Sequence, residues 1–306
     1  MKLKLWIALL LGIGTASAES HPAWWRYASP ESTALVGIQW ENLRTSPFAE
    51  AIADELTGES GLGFPQLDCL KDARQILISS PVLLAMATGN FSADILRDQA
   101  TQKGLKKVLY REITIWVTPG KNTLSIARMN DQLALVGRVK DLQDSIDRDL
   151  SEQTDRVYSP LLARAAHYAQ DDLWVVATHL PDPLADHFVP VETQADGFEG
   201  GASLGSGLRL NAMFSAASED AASQLAGDLK QMLATLPPLA RGIQVNIDGN
   251  YTTLSLAVTE QQLVAGLRAP QQPPKAVERS EPTKPAGPQV IRIYGLDDGP
   301  REILMR

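Results

Sequence analysis

A serine between glycines, two histidines close to two aspartates, and a single cysteine are the side chains of this 306-residue chain that suggest covalent or metal chemistry. Gly201-Ala202-Ser203-Leu204-Gly205 fits the G-x-S-x-G turn of serine hydrolases. Such a turn needs a strand before it and a helix directly after it, so that the serine Oγ projects and the helix N-terminus supports the oxyanion. Here Gly207 leads into another β-prone run. That fold also places its histidine after the serine, whereas the last histidine of this chain is His187. The pattern is therefore read as a glycine-rich hairpin. His179, Asp182, Asp186 and His187 bring two nitrogens and two carboxylates into one short stretch. Their spacing is not that of H-E-x-x-H, and Asp182 before Pro183 has a structural use as a helix cap. Cys69 is a possible nucleophile with His167 or His179, but beside Leu67 and Leu70 it reads as a small core residue. No Walker-type loop and no G-x-G-x-x-G follows a strand. The expectation is no catalytic, metal or cofactor-binding residue and no cofactor. A hydrolase using Ser203, or a metal site near His179, is the alternative.

The N-terminus carries a different signal. Lys2 and Lys4 precede an apolar run over residues 5–13, and Ala16-Ser17-Ala18 follows as a signal-peptidase pattern. The run is shorter than the ~20 apolar residues that cross a bilayer, and Gly12 and Gly14 interrupt it. Cleavage near Ala18 is expected, giving a periplasmic or secreted protein with no transmembrane segment in the mature chain. Loss of residues 1–18 removes two lysines and no acid, so 26 basic side chains face 36 acidic ones and the net charge moves from −8 to −10. So acidic a surface repels phosphate backbones, and no nucleic-acid partner is expected. One cysteine permits no internal disulfide, so the fold must rest on its apolar core.

The aromatic cluster His21-Pro22-Ala23-Trp24-Trp25-Arg26-Tyr27 is read as a plug on the core rather than an exposed patch. The periodicities then predict a strand over 34–40 and a helix from Ser46-Pro47 to Leu56. Strands at 76–79 and 82–88 precede a helix capped by Ser92 and ended by Gly104. Strands at 113–117, 123–127 and 133–136 and a helix over 139–150 close the first half. A helical connector begins at Ser159-Pro160. The second half repeats much of that order: a strand over 173–178, a short helix from Asp182-Pro183, and strands near Ala202 and over 208–214. A helix capped by Ser218, a hairpin over 243–258 turning at Asp248-Gly249-Asn250, and a helix over 260–267 complete it. The predicted fold class is α+β, two similar units of largely antiparallel sheet with helices on one face. An internal duplication of split-βαβ type would give that order.

Leu35-Val36-Gly37-Ile38 before Leu43-Arg44-Thr45-Ser46-Pro47-Phe48, Gly89-Asn90-Phe91 before Leu96-Arg97, and Ala134-Leu135-Val136-Gly137 before Ile146-Asp147-Arg148 give the chain a layout that resembles uncharacterised exported bacterial proteins. The resemblance implies architecture and export, and no activity.

Residues 270–288 hold six prolines and almost no apolar bulk, the composition of a semi-extended linker. Beyond it Val290, Ile291, Ile293, Tyr294 and Leu296 form a β-prone strip, Asp297-Asp298-Gly299-Pro300 a turn, and Ile303-Leu304-Met305 a second strip. Addition to a sheet edge, its own or a partner's, is expected over a free hairpin, with Ile291, Ile293, Tyr294 and Leu296 as partner-contacting residues. The expected organisation is a signal peptide (1–18), α+β units over 19–158 and 159–269, a Pro-rich linker (270–288) and a docking segment (289–306). The expected function is non-enzymatic binding or structural interaction outside the cytoplasm.

Overall fold

The computed structural model describes residues 21–46, 72–120, 123–151, 159–179, 195–205, 207–234, 240–262, 290–293 and 301–304. Contacts group the chain into two units, Met1–Gly266 and Leu267–Arg306. The helices expected from Ser46-Pro47 and Asp182-Pro183, the signal peptide, Cys69 and the Pro-rich linker lie outside the described residues.

Strands β1 (Ala34–Ile38), β2 (Ala73–Ser80) and β3 (Leu84–Gly89) are followed by β4 (Lys106–Tyr110), β5 (Ile113–Val117), β6 (Ser125–Asn130) and β7 (Leu133–Gly137). The later strands are β8 (Leu173–Ala177), β9 (Ala195–Ser203), β10 (Gly207–Ala216), β11 (Gln244–Asp248) and β12 (Tyr251–Thr259). All twelve join one sheet in the order β11-β12-β10-β9-β8-β1-β2-β3-β7-β6-β5-β4. Every pairing among them is antiparallel, so the parallel pair that a split-βαβ unit requires is not found among the described strands. The strands of the two halves meet where β1 pairs with β8, Val36 opposite Val175 and Gly37 opposite Trp174. Counted outward from that seam, β1-β2-β3-β7-β6 on one side faces β8-β9-β10-β12-β11 on the other.

The helices among the described residues are α1 (Trp40–Leu43), α2 (Ala93–Gln102), α3 (Val139–Leu150), α4 (Leu161–Ala166) and α5 (Glu219–Leu233). Ser92 Oγ accepts the Ile95 N–H at 3.4 Å and Ser218 Oγ accepts the Ala221 N–H at 3.1 Å, satisfying donors that a helix start leaves open. Gly104 takes φ +67° just beyond α2, a conformation that a Cβ would strain.

Successive strand residues point to opposite faces, and the burial follows that alternation. Leu77 packs with Leu135, with Leu142 and Ile146 of α3, and with Leu161, Leu162 and Ala165 of α4. Its neighbours Ile76 and Ile78 pack with Val136, with Leu43 of α1 and with Leu96 and Ala100 of α2. Helices therefore cover both faces of the first half, which corrects the expectation of helices on one face. The physical reason is plain in β3 and β7, where Leu84 to Ala87 and Leu133 to Val136 are all buried. A strand that is apolar on both sides must be covered on both sides. In the second half α5 packs Leu225 and Leu229 against Phe214 and Leu254.

The strand β4 has no counterpart among the expected elements. It is the edge of the sheet, with Leu109 67% exposed and two lysines leading it, so it lacks the half-buried alternation that marks a strand. In the C-terminal unit β13 (Val290–Ile293) pairs antiparallel with β14 (Arg301–Leu304), Ile291 opposite Ile303, in a two-stranded sheet. Within this unit the observed pairing is thus of β13 with β14.

Candidate functional site

A cavity of about 620 Å3 opens at the end of the sheet where β1 leaves, β2 enters and β3 ends, beside the β6–β7 turn. Among the described residues its wall carries five carboxamides (Gln39, Asn42, Gln75, Asn130 and Gln132), with Arg26, Arg74, Glu41, Thr88, Trp24 and Tyr27. These residues come from five segments that only the sheet order brings together.

Two strand irregularities shape the mouth. The β2–β3 register slips between Ala73 and Gln75, leaving Arg74 as the extra residue, and the β6–β7 register slips between Arg128 and Asn130. A bulge bends its strand and re-aims the side chain it carries. Gly89 lies opposite the first bulge, and a Cβ there would overlap the Asp72 carbonyl. Arg74 is exposed and has no ion-pair partner among the described residues.

One wall is the β1–α1 corner, tied to the loop before β8. Gln39 donates its backbone N–H to the Asp172 carbonyl at 2.8 Å and its Nε2–H to the Ala169 carbonyl at 2.7 Å. Asn42 Nδ2 donates to Asp172 Oδ1 at 2.9 Å, and the other oxygen of this buried carboxylate accepts the Leu204 N–H at 2.7 Å. The partners fix both amide orientations, because a carbonyl or carboxylate oxygen accepts only from the NH2 end. The opposite wall is the β6–β7 turn, where Asn130 Oδ1 accepts the Gln132 N–H at 2.8 Å and Gly89 N–H donates to the Gln132 carbonyl at 3.0 Å.

The third wall is the 3-10 turn Ala23–Tyr27. Trp25 and Tyr27 are buried, as the plug reading required, and Trp25 lies 5.1 Å from Trp174 between ring centroids. Trp24 is half-buried and meets Trp25 edge-on at 86°. Tyr27 OH donates to Asp149 Oδ2 at 2.8 Å, while Arg26 Nε sits 2.8 Å from Asp149 Oδ1. Burial pushes the Tyr27 phenol above its ordinary pKa.

The residues singled out for chemistry lie elsewhere. Ser203 ends β9, β10 starts at Gly207, and its Oγ donates to Asp171 Oδ1 at 2.6 Å. That strand-to-strand connection is the hairpin reading of the glycine motif. His179 is exposed, its Nδ1 3.1 Å from Thr178 Oγ1, while Asp182, Asp186 and His187 lie outside the described residues. Ile291 and Ile293 lie on β13, and Tyr294 and Leu296 are outside the described residues. The sequence reading picked out only the Trp24 cluster from the wall of this cavity. Carboxamides spread over more than ninety positions (39–132) leave no local pattern, and the one short-range hint was aromatic density near residue 24.

No protein-family model matches the chain, and no curated protein matches it. Among solved structures it is similar to TP0453. Crystal form I of that protein superimposes with a TM-score of 0.52 over 81% of this chain and 97% of that one, at 6% identity. Crystal form III gives 0.51 over 81% and 98%, also at 6% identity. The likeness is one of fold alone. No helix among the described residues is long and apolar enough to cross a membrane.

Proposed function

We propose that this chain is an exported binding protein that takes a polar ligand into the cavity between Trp24, Gln39 and Gln132. The observation that carries the reading is the set of amides held in place before any ligand arrives. Gln39, Asn42 and Asn130 each have one end bonded to the protein, and among the described residues Oε1, Oδ1 and Nδ2 respectively are left for a ligand. Groups already ordered cost less entropy to use, so the same hydrogen bonds contribute more to affinity. The cavity also lies within the roughly 300–1,000 Å3 range of small-molecule sites.

The basic, apolar and Ala-Ser-Ala segments at the N-terminus support periplasmic or secreted placement, with Glu19 as the mature N-terminus. The matching strand order on the two sides of the β1–β8 seam supports reading the halves as copies of one unit. Ile291, Ile293, Tyr294 and Leu296 remain the residues proposed for contact with a protein partner. They rest on the contrast between a proline-rich tether and the apolar strip after it.

The cavity reading is tested by screening polar fragments against isotope-labelled protein by NMR. Shifts concentrated at Gln39, Gln75, Thr88 and Gln132 support it. Hits spread over other surfaces, or none at all, refute it. N-terminal sequencing of protein from its own host tests export separately, and an intact Met1 in a cytoplasmic fraction would sink that part.

A further inference from the structure

We infer that the ligand of this cavity is a short acidic oligosaccharide, with a ring carboxylate held by Arg74 and a pyranose face resting on Trp24. The inference rests on the binding reading above and adds the ligand's chemistry. Arg74 is the extra residue of the β2 bulge, exposed and unpaired among the described residues, at the mouth of a cavity that also holds Gln75 and Thr88. A guanidinium with no ion-pair partner among the described residues, beside a polar cleft, suits a carboxylate, which it can hold through two parallel N–H···O bonds. Arg26, by contrast, is already engaged by Asp149, and Glu41 on the same wall lies 3.7 Å from Arg44, so Arg74 is the lining guanidinium with no ion pair among the described residues. A ligand that places one ring carboxylate at Arg74 fits that balance better than a polyphosphate.

The rest of the wall suits hydroxyl groups. Sugar hydroxyls donate and accept in several directions, and the fixed acceptors of Gln39 and Asn42 with the fixed donor of Asn130 meet both needs. Trp24 is propped edge-on by Trp25, which in turn leans on Trp174, so its ring is ordered before binding. An ordered indole offers a flat apolar face to the C–H side of a sugar ring at low entropic cost. A peptide is the competing ligand and fits less well. Extended peptides bind by adding to an unpaired strand edge, and the strands that line this cavity, β1, β2, β3, β6 and β7, are all interior to the sheet. Among the described residues of the wall Ala23 and Leu133 are the only aliphatic side chains, which gives a peptide little to anchor on.

The test is isothermal titration of the full chain with three probes of equal length: trigalacturonate, neutral maltotriose and a triglutamate peptide. Trigalacturonate is expected to bind. Arg74→Gln should weaken it at least tenfold and Trp24→Ala by a similar factor, with melting temperatures checked so that unfolding is not mistaken for lost contact. Asn130→Ala should weaken it severalfold. Maltotriose binding as tightly as trigalacturonate, with no response to Arg74→Gln, would overturn the carboxylate assignment. Triglutamate binding as tightly would overturn the sugar assignment. If none of the three probes binds, the inference fails even where the NMR screen places other fragments in the cavity, which separates its failure from that of the binding reading.

Discussion

Tyr168 shows how burial at one residue becomes a pH dependence. Its phenol is half-buried near Glu199 and Arg164, and burial first, then the Glu199 charge, push its pKa to about 12. The unfolded value is about 10, so the folded state holds the proton more tightly. The contribution is fully present below pH ~10 and is lost as pH rises through the folded value, because the unfolded chain ionises first. Solvent screening of a half-buried ring reduces it to about 1 kcal/mol. Urea denaturation from pH 9 upward should therefore show a steeper alkaline loss of stability in the native protein than in Tyr168→Phe. Equal slopes would contradict the assignment. Ser203 makes the second residue-scale case. Its Oγ donates to Asp171 at the end of a strand, so a fluorophosphonate probe should leave the folded protein unlabelled. Stoichiometric labelling at Ser203 would favour the hydrolase alternative. Neither environment was legible in the sequence, since Tyr168 and Asp171 follow α4 and meet Glu199 and Ser203 only where that segment lies against β9.

At the scale of elements, local signals were strong wherever an element's stability is local. The Ser218 cap, the acids Glu219 and Asp220 in the first turn and the apolar face of α5 all lie within one stretch, and the helix forms there. Ser218→Ala should destabilise the protein by about 1 kcal/mol by freeing the Ala221 N–H, and Ser218→Asp should leave stability near that of the native chain. A serine hydroxyl that made no cap would give a change near zero in chemical denaturation for both. The β11–β12 hairpin was equally readable, because Gly249 at φ +54° supplies the turn that antiparallel neighbours need. By contrast β4 escaped notice. An edge strand with exposed Val108 and Leu109 has one paired side and no buried face to write into its residue pattern.

For the molecule as a whole, the β1–β8 seam decides cooperativity. Gly37 lies opposite Trp174, and a Cβ at residue 37 would overlap the Trp174 ring, so the indole needs the glycine's empty space. Gly37→Ala should cost about 1–3 kcal/mol through overpacking. Because the sheet runs unbroken from β11 to β4, native and variant proteins should each unfold in one transition, with tryptophan fluorescence and far-UV circular dichroism coincident. Separated transitions for the two probes would show that the halves are energetically independent.

The amino-acid sequence by itself determined the acidic charge balance, the identity of most helices and strands, their caps and turns, and the antiparallel hairpins between neighbours. Those properties depend on residues a few positions apart, and hydrogen bonding, side-chain period and backbone sterics act at that range. Only the tertiary structure decided that both halves share one sheet, that helices cover both faces of the first half, and that Trp24, Gln39, Arg74, Thr88 and Gln132 line one cavity. The period of a strand states which side chains are buried and on which face. It does not state which strand lies alongside, and that choice is made by long-range fits such as Gly37 against Trp174 and Asn42 against Asp172.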